Sequence, residues 1–271
     1  MPDLINAAIA AFERVRREQP LIHLITNFVT MNDVANATLA IGARPVMAHA
    51  SEEVEDITHQ ARALVLNLGT PSRERIDAML HAGQIANAQN IPIVFDPVGF
   101  GASAFRKECT ARILDSLRVT IVRGNAGEIG ALAGIAGTQS GVDTAHADYD
   151  RVAVAKSLAE QYHTVIAVTG ATDFVSDGTR VVAAENGHFL LKQITGAGDM
   201  LDAIIGASAA VESDALRAAV SGLAWFGVAA ERAAQHEHGV GSFRVALFDA
   251  LGNLDADTIQ HNTKIKWISG G

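Results

Sequence analysis

Asp199 follows directly on a paired-glycine turn, in the run Gln193-Ile194-Thr195-Gly196-Ala197-Gly198-Asp199-Met200, and an apolar helical pattern begins there. Glycine removes Cβ and lets a backbone approach a ligand closely. A helix start leaves unpaired N–H groups that favour an anion. Gly196, Ala197 and Gly198 therefore read as an anion hole. Asp199 reads as a first-turn carboxylate beside it, where the helix dipole also favours negative charge. Together they could hold a phosphate while the carboxylate takes a proton from an attacking hydroxyl. General-base help of that kind is typically worth about 10²–10⁴ in rate. The rest of phosphoryl transfer is positioning and charge neutralisation. The same glycines would also serve an ordinary strand-to-helix turn.

Other residues could join this chemistry. Glu128, in Asn125-Ala126-Gly127-Glu128, offers hard oxygens that could hold Mg²⁺ directly or through water. The same four residues read equally as a helix cap, with Asn125 at the cap and Glu128 three residues on. Asp96, before Pro97, is a second carboxylate or a turn opener. Arg123 ends an apolar run, where its charge needs a partner, either a phosphate or a nearby carboxylate. His23 reads as a hydrogen-bonded core residue, His236-Glu237-His238 as a solvated helix end, and Cys109 as packing. There is no Gly-x-Ser-x-Gly, no Walker Gly-x-x-x-x-Gly-Lys and no dinucleotide fingerprint opening an early helix.

The elements that must carry these residues alternate. Short apolar strands are expected at 21–25, 45–47, 63–68, 92–95, 119–123 and 164–168, with amphipathic helices between them. Thr30 with Asp33 reads as one helix cap, Ser51 as another and Ser242 as a third. Asp177-Gly178-Thr179 predicts a hairpin between Asp173–Ser176 and Arg180–Ala184. His188 to Leu191 reads as one more strand, Gly134 to Ala145 as an exposed loop, and the chain after Gly198 as nearly all helix. Such alternation predicts an α/β fold with a largely parallel sheet covered by helices on both faces. Sheets of this kind bind ligands at the carboxyl ends of their strands. Asn27, Met47, Asp96, Arg123, Thr169 and the Gly196 turn all fall at or just past an expected strand end. No linker or repeat divides the chain, so one domain over 1–271 is expected.

Composition narrows the partners. The 271 residues carry a formal charge of −9 and no Lys/Arg block, which argues against nucleic acid and membrane surfaces. Aromatics make up only 5%, too few for stacking platforms. A single cysteine excludes an internal disulfide and a thiol-rich metal site, and fits a reducing compartment. Met1 to Gln19 has no signal-peptide pattern, and no apolar run reaches membrane-spanning length. A cytoplasmic protein is expected.

The Gly196-Ala197-Gly198-Asp199 turn, with Asn125 and Glu128 upstream, resembles the ribokinase-like superfamily. Within it, Leu21-Ile22-His23-Leu24-Ile25-Thr26-Asn27-Phe28-Val29, Pro45-Val46-Met47-Ala48, Asp96-Pro97-Val98-Gly99 and Arg123-Gly124-Asn125-Ala126-Gly127-Glu128-Ile129 resemble hydroxyethylthiazole kinases. The likeness keeps its order from about Gln19 to past Gly206; the later helices match in character only. It implies a ribokinase-like three-layer sandwich without a separate lid domain. The implied activity is ATP- and Mg²⁺-dependent phosphorylation of the primary alcohol of 4-methyl-5-(2-hydroxyethyl)thiazole, in thiamine salvage. By position, Met47 and Gly196 would contact the thiazole, with Asn27 nearby. Arg123 and Thr169 would contact ATP, and Asp96 and Glu128 would serve the metal and phosphate region. A homotrimer with the thiazole site between subunits is also implied.

One departure bears on substrate. Many hydroxyethylthiazole kinases carry Cys where this chain has Asp199. The carboxylate is the wider superfamily's choice, and carboxylates are ionised at neutral pH where ordinary thiols are not. Kinases of other alcohols share it. A hydroxymethylpyrimidine or pyridoxal kinase therefore stays open, as does an ADP/ATP-dependent dehydratase of hydrated NAD(P)H. Thr26-Asn27 and Val46-Met47 favour the thiazole alcohol.

Overall fold

The structure, a computed structural model, describes residues 2–135, 149–235 and 239–270. The expected loop through Ala145 falls mostly, and His236-Glu237-His238 wholly, outside the described residues. The chain opens with α1 (Pro2–Glu18), β1 (Leu21–Ile25), α2 (Met31–Ala40), β2 (Arg44–Val46), α3 (Val54–Gln60), β3 (Ala63–Asn67), α4 (Arg73–Ala88) and β4 (Ile93–Asp96). It continues with α5 (Ala104–Ser116), β5 (Ile121–Asn125), α6 (Ala126–Leu132), α7 (Arg151–Tyr162), β6 (Val165–Thr169), β7 (Asp173–Ser176) and β8 (Val181–Ala184). Then come α8 (Ala197–Ala209), α9 (Ala215–Ala233), α10 (Val240–Gly252), α11 (Ala256–Asn262) and β9 (Ile265–Ser269).

All of these strands join one sheet in the order β2-β1-β3-β4-β5-β6-β7-β8-β9. The pairings from β2 across to β6 are parallel, and β7, β8 and β9 extend the sheet antiparallel. The central strands are near-continuous apolar runs because both faces are covered. Helices α1, α2 and α8 to α11 pack on one face, and α3 to α7 on the other. The antiparallel strands lengthen this sheet instead of building a second one, so no separate lid sheet exists among the described residues.

Strand parity decides what reaches the site. Side chains alternate between faces, and Ala63, Val65, Val94, Ile121, Val165 and Ala167 pack on the α8 side. Their neighbours Leu64, Leu66, Ile93, Phe95, Val122, Ile166 and Val168 pack on the other. Continuing the alternation to the carboxyl ends puts Asn67, Asp96, Arg123 and Thr169 on the face that meets α8.

Four expectations are corrected. His188 to Leu191 is not a strand; a 3-10 turn occupies Phe189–Gln193. The place beside β8 is taken instead by β9, in a stretch expected to be helix. Ser51 does not cap α3, which starts later with Glu53 at its cap, and α10 is capped at Gly239, not Ser242. Thr30 stands at the cap of α2, but its hydroxyl makes no cap bond; it points into the site described next. Asp33 pairs with Arg244 of α10.

Candidate active site

The site is built around the first turn of α8. Gly196 occupies its cap with φ of +87° and supplies no side chain to its N–H groups. A Cβ there would stand 2.6 Å from Thr30 Cγ2, and one at Gly198 would stand 2.5 Å from Arg123 Nη1. Both positions thus require glycine, one for its backbone angle and both for space. The first-turn N–H groups keep their anion-binding capacity.

Asp199, half-buried at the third helical position, does not turn back onto those N–H groups. Three buried side chains from other elements hold it. Thr30 Oγ1 donates to Asp199 Oδ2 at 2.5 Å, and Asn27 Nδ2 donates to the same oxygen at 2.9 Å. Asn67 Nδ2 donates to Asp199 Oδ1 at 2.9 Å. The loops that present Asn27 and Asn67 are tied together by Arg75. Its buried guanidinium donates to Thr26 O, Gly69 O and Thr70 O at 2.6 to 2.8 Å and lies over the Phe28 ring.

Behind Asp199 lies a cluster of buried charge. Asp96, Asp199 and Asp202 each present a carboxylate oxygen, all within 4.8 Å of one another. Arg123 Nη1 donates to Asp96 Oδ2 at 2.7 Å and stands 3.6 Å from Asp202. Arg123 Nη2 donates to Thr169 Oγ1 at 3.1 Å, and the Thr169 hydroxyl donates to Gly124 O. Burial pushes the Asp96 carboxyl well above the usual range, with the Asp202 charge adding to it and Arg123 opposing. Burial likewise raises Asp202 to about 7 against the pull of Arg123. Burial works against the Arg123 charge, but Asp202 and Asp96 outweigh it and hold the guanidinium above its ordinary value. Asp96 Oδ1 and Asp202 Oδ1 are buried without a donor. Carboxylates crowded together in a buried cluster need a proton or a cation among them, and hard oxygens of this kind suit Mg²⁺.

Glu128 stands apart from that cluster. Its Oε2 accepts from Asn125 N at 2.8 Å and its Oε1 from Gly99 N at 2.9 Å, while Asn125 Oδ1 accepts from Glu128 N. This is a complete capping box, with the second oxygen fixing the Gly99 turn. Met47 lies just past β2, half-buried against the core. His23 is buried between Thr58 and Ala48 O, and Cys109 is buried in the opposite layer.

The fold therefore brings Asn27, Asp96, Arg123, Thr169, the Gly196–Gly198 turn and Asp199 to one sheet edge. It sets Glu128 to one side and Met47 on the rim. Two residues of the cluster were missed from the sequence. Asp202 interrupts an apolar helix one turn after Asp199, a spacing that shares a helix face. Asn67 is the polar residue in the otherwise apolar run Ala63-Leu64-Val65-Leu66-Asn67-Leu68. Both exceptions were visible as breaks in apolar patterns.

Comparison with known proteins places the family and the fold. The family described as hydroxyethylthiazole kinase matches residues 12–257. A hydroxyethylthiazole kinase from Chloroflexus aggregans is 53% identical over 257 residues, covering 95% of this chain and 92% of its own length. The solved structure of a hydroxyethylthiazole kinase from Pyrococcus horikoshii OT3 superposes with a TM-score of 0.90 at 42% identity, over 97% of this chain and 100% of that one. A ribokinase-like superfamily protein from Enterococcus faecalis shares the fold at 11% identity, with a TM-score of 0.61 over 85% and 86% of the two chains.

Proposed function

This chain belongs to the hydroxyethylthiazole kinase family, and we propose that it phosphorylates the primary alcohol of 4-methyl-5-(2-hydroxyethyl)thiazole with ATP, Asp199 acting as general base. The observation that carries the mechanism is the first turn of α8: open backbone donors and, beside them, a carboxylate turned away from its own helix. Asp199 Oδ2 accepts from two donors and Oδ1 from one, so Oδ1 keeps a lone pair for the substrate proton. The alcohol enters at the rim formed by Asn27, Met47 and Gly196. Its proton passes to Asp199 as its oxygen attacks the γ-phosphorus in line; the bond from that phosphorus to the β,γ-bridging oxygen breaks, and ADP leaves with the electron pair. The N–H groups of the Gly196–Gly198 turn receive the charge on the transferring phosphoryl oxygens. Arg123 and Thr169 orient the ATP phosphates.

The donor set behind Asp199 fits a divalent cation, because Asp96 and Asp202 each bury an oxygen without a donor and their carboxylates belong to one cluster within 4.8 Å. Asp96 would hold Mg²⁺, and Glu128, whose oxygens already accept backbone N–H groups, would reach it through water. Bound there, the cation would offset the negative charge of the ATP phosphates.

The reading extends to the whole chain as one kinase domain working as a cytoplasmic homotrimer, with the thiazole site between subunits. Among the described residues no helix is long and apolar enough to cross a membrane. The exposed large apolar residues include Phe28, Val29, Leu39, Phe189, Val240 and Val245, on or beside α2, the 3-10 turn and α10, which pack together next to Asn27. Self-association would cover them. Light scattering should give a mass three times that of the chain; a monomer at micromolar concentration would remove the shared site.

The deciding experiment is ATP turnover against the thiazole alcohol, hydroxymethylpyrimidine, pyridoxal and hydrated NADH. Turnover should be highest on the thiazole alcohol. Repair of hydrated NADH without phosphorylated thiazole would overturn the assignment.

A further inference from the structure

We propose that Asn67 is a positioning residue for phosphoryl transfer: its side-chain amide, with that of Asn27, keeps Asp199 from capping its own helix. The inference rests on the reading of Asp199 as the base. A carboxylate at the third position of a helix has an easy local partner, the N–H of the cap residue. Glu128 takes that option on α6. If Asp199 took it on α8, the base would face away from the alcohol and the Gly196 N–H would be spent. Something must outbid the local bond.

The hydrogen bonds identify what does. Asn67, at the carboxyl end of β3, is 1% exposed, and the side-chain amide is fully used. Its Oδ1 accepts from Gly69 N at 3.0 Å and from Asn27 Nδ2 at 3.1 Å. Its Nδ2 donates to Asp199 Oδ1 at 2.9 Å and to Asp202 Oδ2 at 3.2 Å. Asn27 is oriented in the same way, its Oδ1 accepting from Val29 N and Thr30 N at 3.0 and 3.1 Å.

Amide orientation is ordinarily a matter of assignment. Here three backbone N–H groups fix it. Each donates to an Oδ1, which leaves Nδ2 of both amides facing the carboxylates. The polarity therefore runs one way, from strand-end backbone through Asn27 and Asn67 onto Asp199.

Asn67 does what Asn27 and Thr30 cannot. Those two residues bind Asp199 Oδ2, whereas Asn67 alone among the three binds Oδ1. It thereby sets the plane of the carboxylate and ties Asp199 to Asp202, one helical turn away. A misplacement near 1 Å at a reacting group can cost about 100-fold in rate. A buried strand end filled only for packing would be apolar, since an amide there must find all its partners to avoid a desolvation penalty.

The test is a double-mutant cycle read in steady-state turnover of ATP and 4-methyl-5-(2-hydroxyethyl)thiazole. Asn67→Leu should lower kcat by about 30- to 100-fold while the alcohol KM stays within about threefold. In an Asp199→Asn background the same change should lower kcat by less than about threefold, because the residue it positions no longer acts as a base. Equal losses in both backgrounds, or a loss confined to KM, would overturn the inference. Should Asn67→Leu fail to fold, Asn67→Ser, which removes the reach to Asp199 with less crowding, is read in the same cycle. The two readings fail separately. Near wild-type turnover in Asp199→Asn alone removes the base, whereas an impaired Asp199→Asn with a background-independent Asn67 effect removes only the positioning role.

Discussion

Helices α6 and α8 begin at the same sheet edge with the same arrangement, a cap residue followed three positions later by a carboxylate, yet they use it in opposite ways. On α6 the cap is Asn125, and Asn125 and Glu128 satisfy each other's backbone in a closed box. On α8 the cap is Gly196, which has nothing to offer, and Asp199 is held by Thr30, Asn27 and Asn67 from two other segments. One carboxylate is spent on local stability. The other is kept off its helix by long-range donors, and the N–H groups beside it stay open. The chemistry at a helix start thus depends less on having a first-turn carboxylate than on what prevents it from capping.

The contrast breaks most sharply at Asp199. Asp199→Asn keeps the shape and removes the proton acceptor, so kcat should fall about 10²- to 10⁴-fold with little change in thiazole binding. Stopped turnover assays with a parallel binding titration check both halves. Near wild-type turnover would make α8 a structural start like α6.

Gly198→Ala comes next. Its Cβ would meet Arg123 Nη1 at 2.5 Å, and Arg123 is locked between Asp96 and Thr169. Either the guanidinium or the turn must move. We expect kcat/KM for ATP to fall about 10²- to 10³-fold, in line with the loss of an anion-stabilising group. An unchanged ATP dependence would separate Arg123 and the turn from the nucleotide.

How much of this was legible in the sequence follows from the range of the forces involved. The central strands could be read because burial on both faces makes them continuous apolar runs, and the strand-end rule then gathered Asn27, Asp96, Arg123 and Thr169. The glycine turn could be read because backbone angle and close approach are local demands. The state of Glu128 was half-legible. The spacing allowed a cap or a ligand, and only the second bond from Gly99, 29 residues away, shows how its other oxygen is used. Asn67 and Asp202 are hidden inside the patterns that they interrupt, because the apolar residues around each predict a strand or a helix whatever the one polar residue among them. Thr30 looked like a cap because sequence cannot show that a hydroxyl finds a better acceptor 169 residues on. Strand β9 escaped for a related reason: an edge strand's alternation is short, and its partner β8 lies far back along the chain.

A smaller effect is expected at Glu128. Glu128→Gln keeps one acceptor and turns the other into a donor facing a backbone N–H, so one of two accepted bonds is lost. Loss of such a capping bond costs about 1 kcal/mol, or roughly 2–4 °C in Tm for a chain of this size class. If Glu128 also reaches the cation through water, the Mg²⁺ concentration for half-maximal turnover should rise. A lower Tm with an unchanged Mg²⁺ titration would leave Glu128 as a cap alone and widen the contrast with Asp199.

The smallest effect concerns the charge stored behind Asp199. Asp202 is pushed up to about 7 in the fold by burial, from an ordinary carboxylate value of 3.8. A carboxyl raised on folding holds a proton that the unfolded chain has released, so its contribution to stability is full below the unfolded value and is lost as pH rises through the folded one. Asp96 is shifted in the same direction. The buried His23 and the half-buried His49 are lowered by burial and pull stability the opposite way over part of that range, so the signature must be read as a difference. In metal-free buffer, the Tm of the native protein minus that of Asp202→Asn should fall between about pH 4 and about pH 7. A flat difference for Asp202 would mean that Arg123 alone neutralises the cluster, and that the two helix starts differ in hydrogen bonding but not in buried charge.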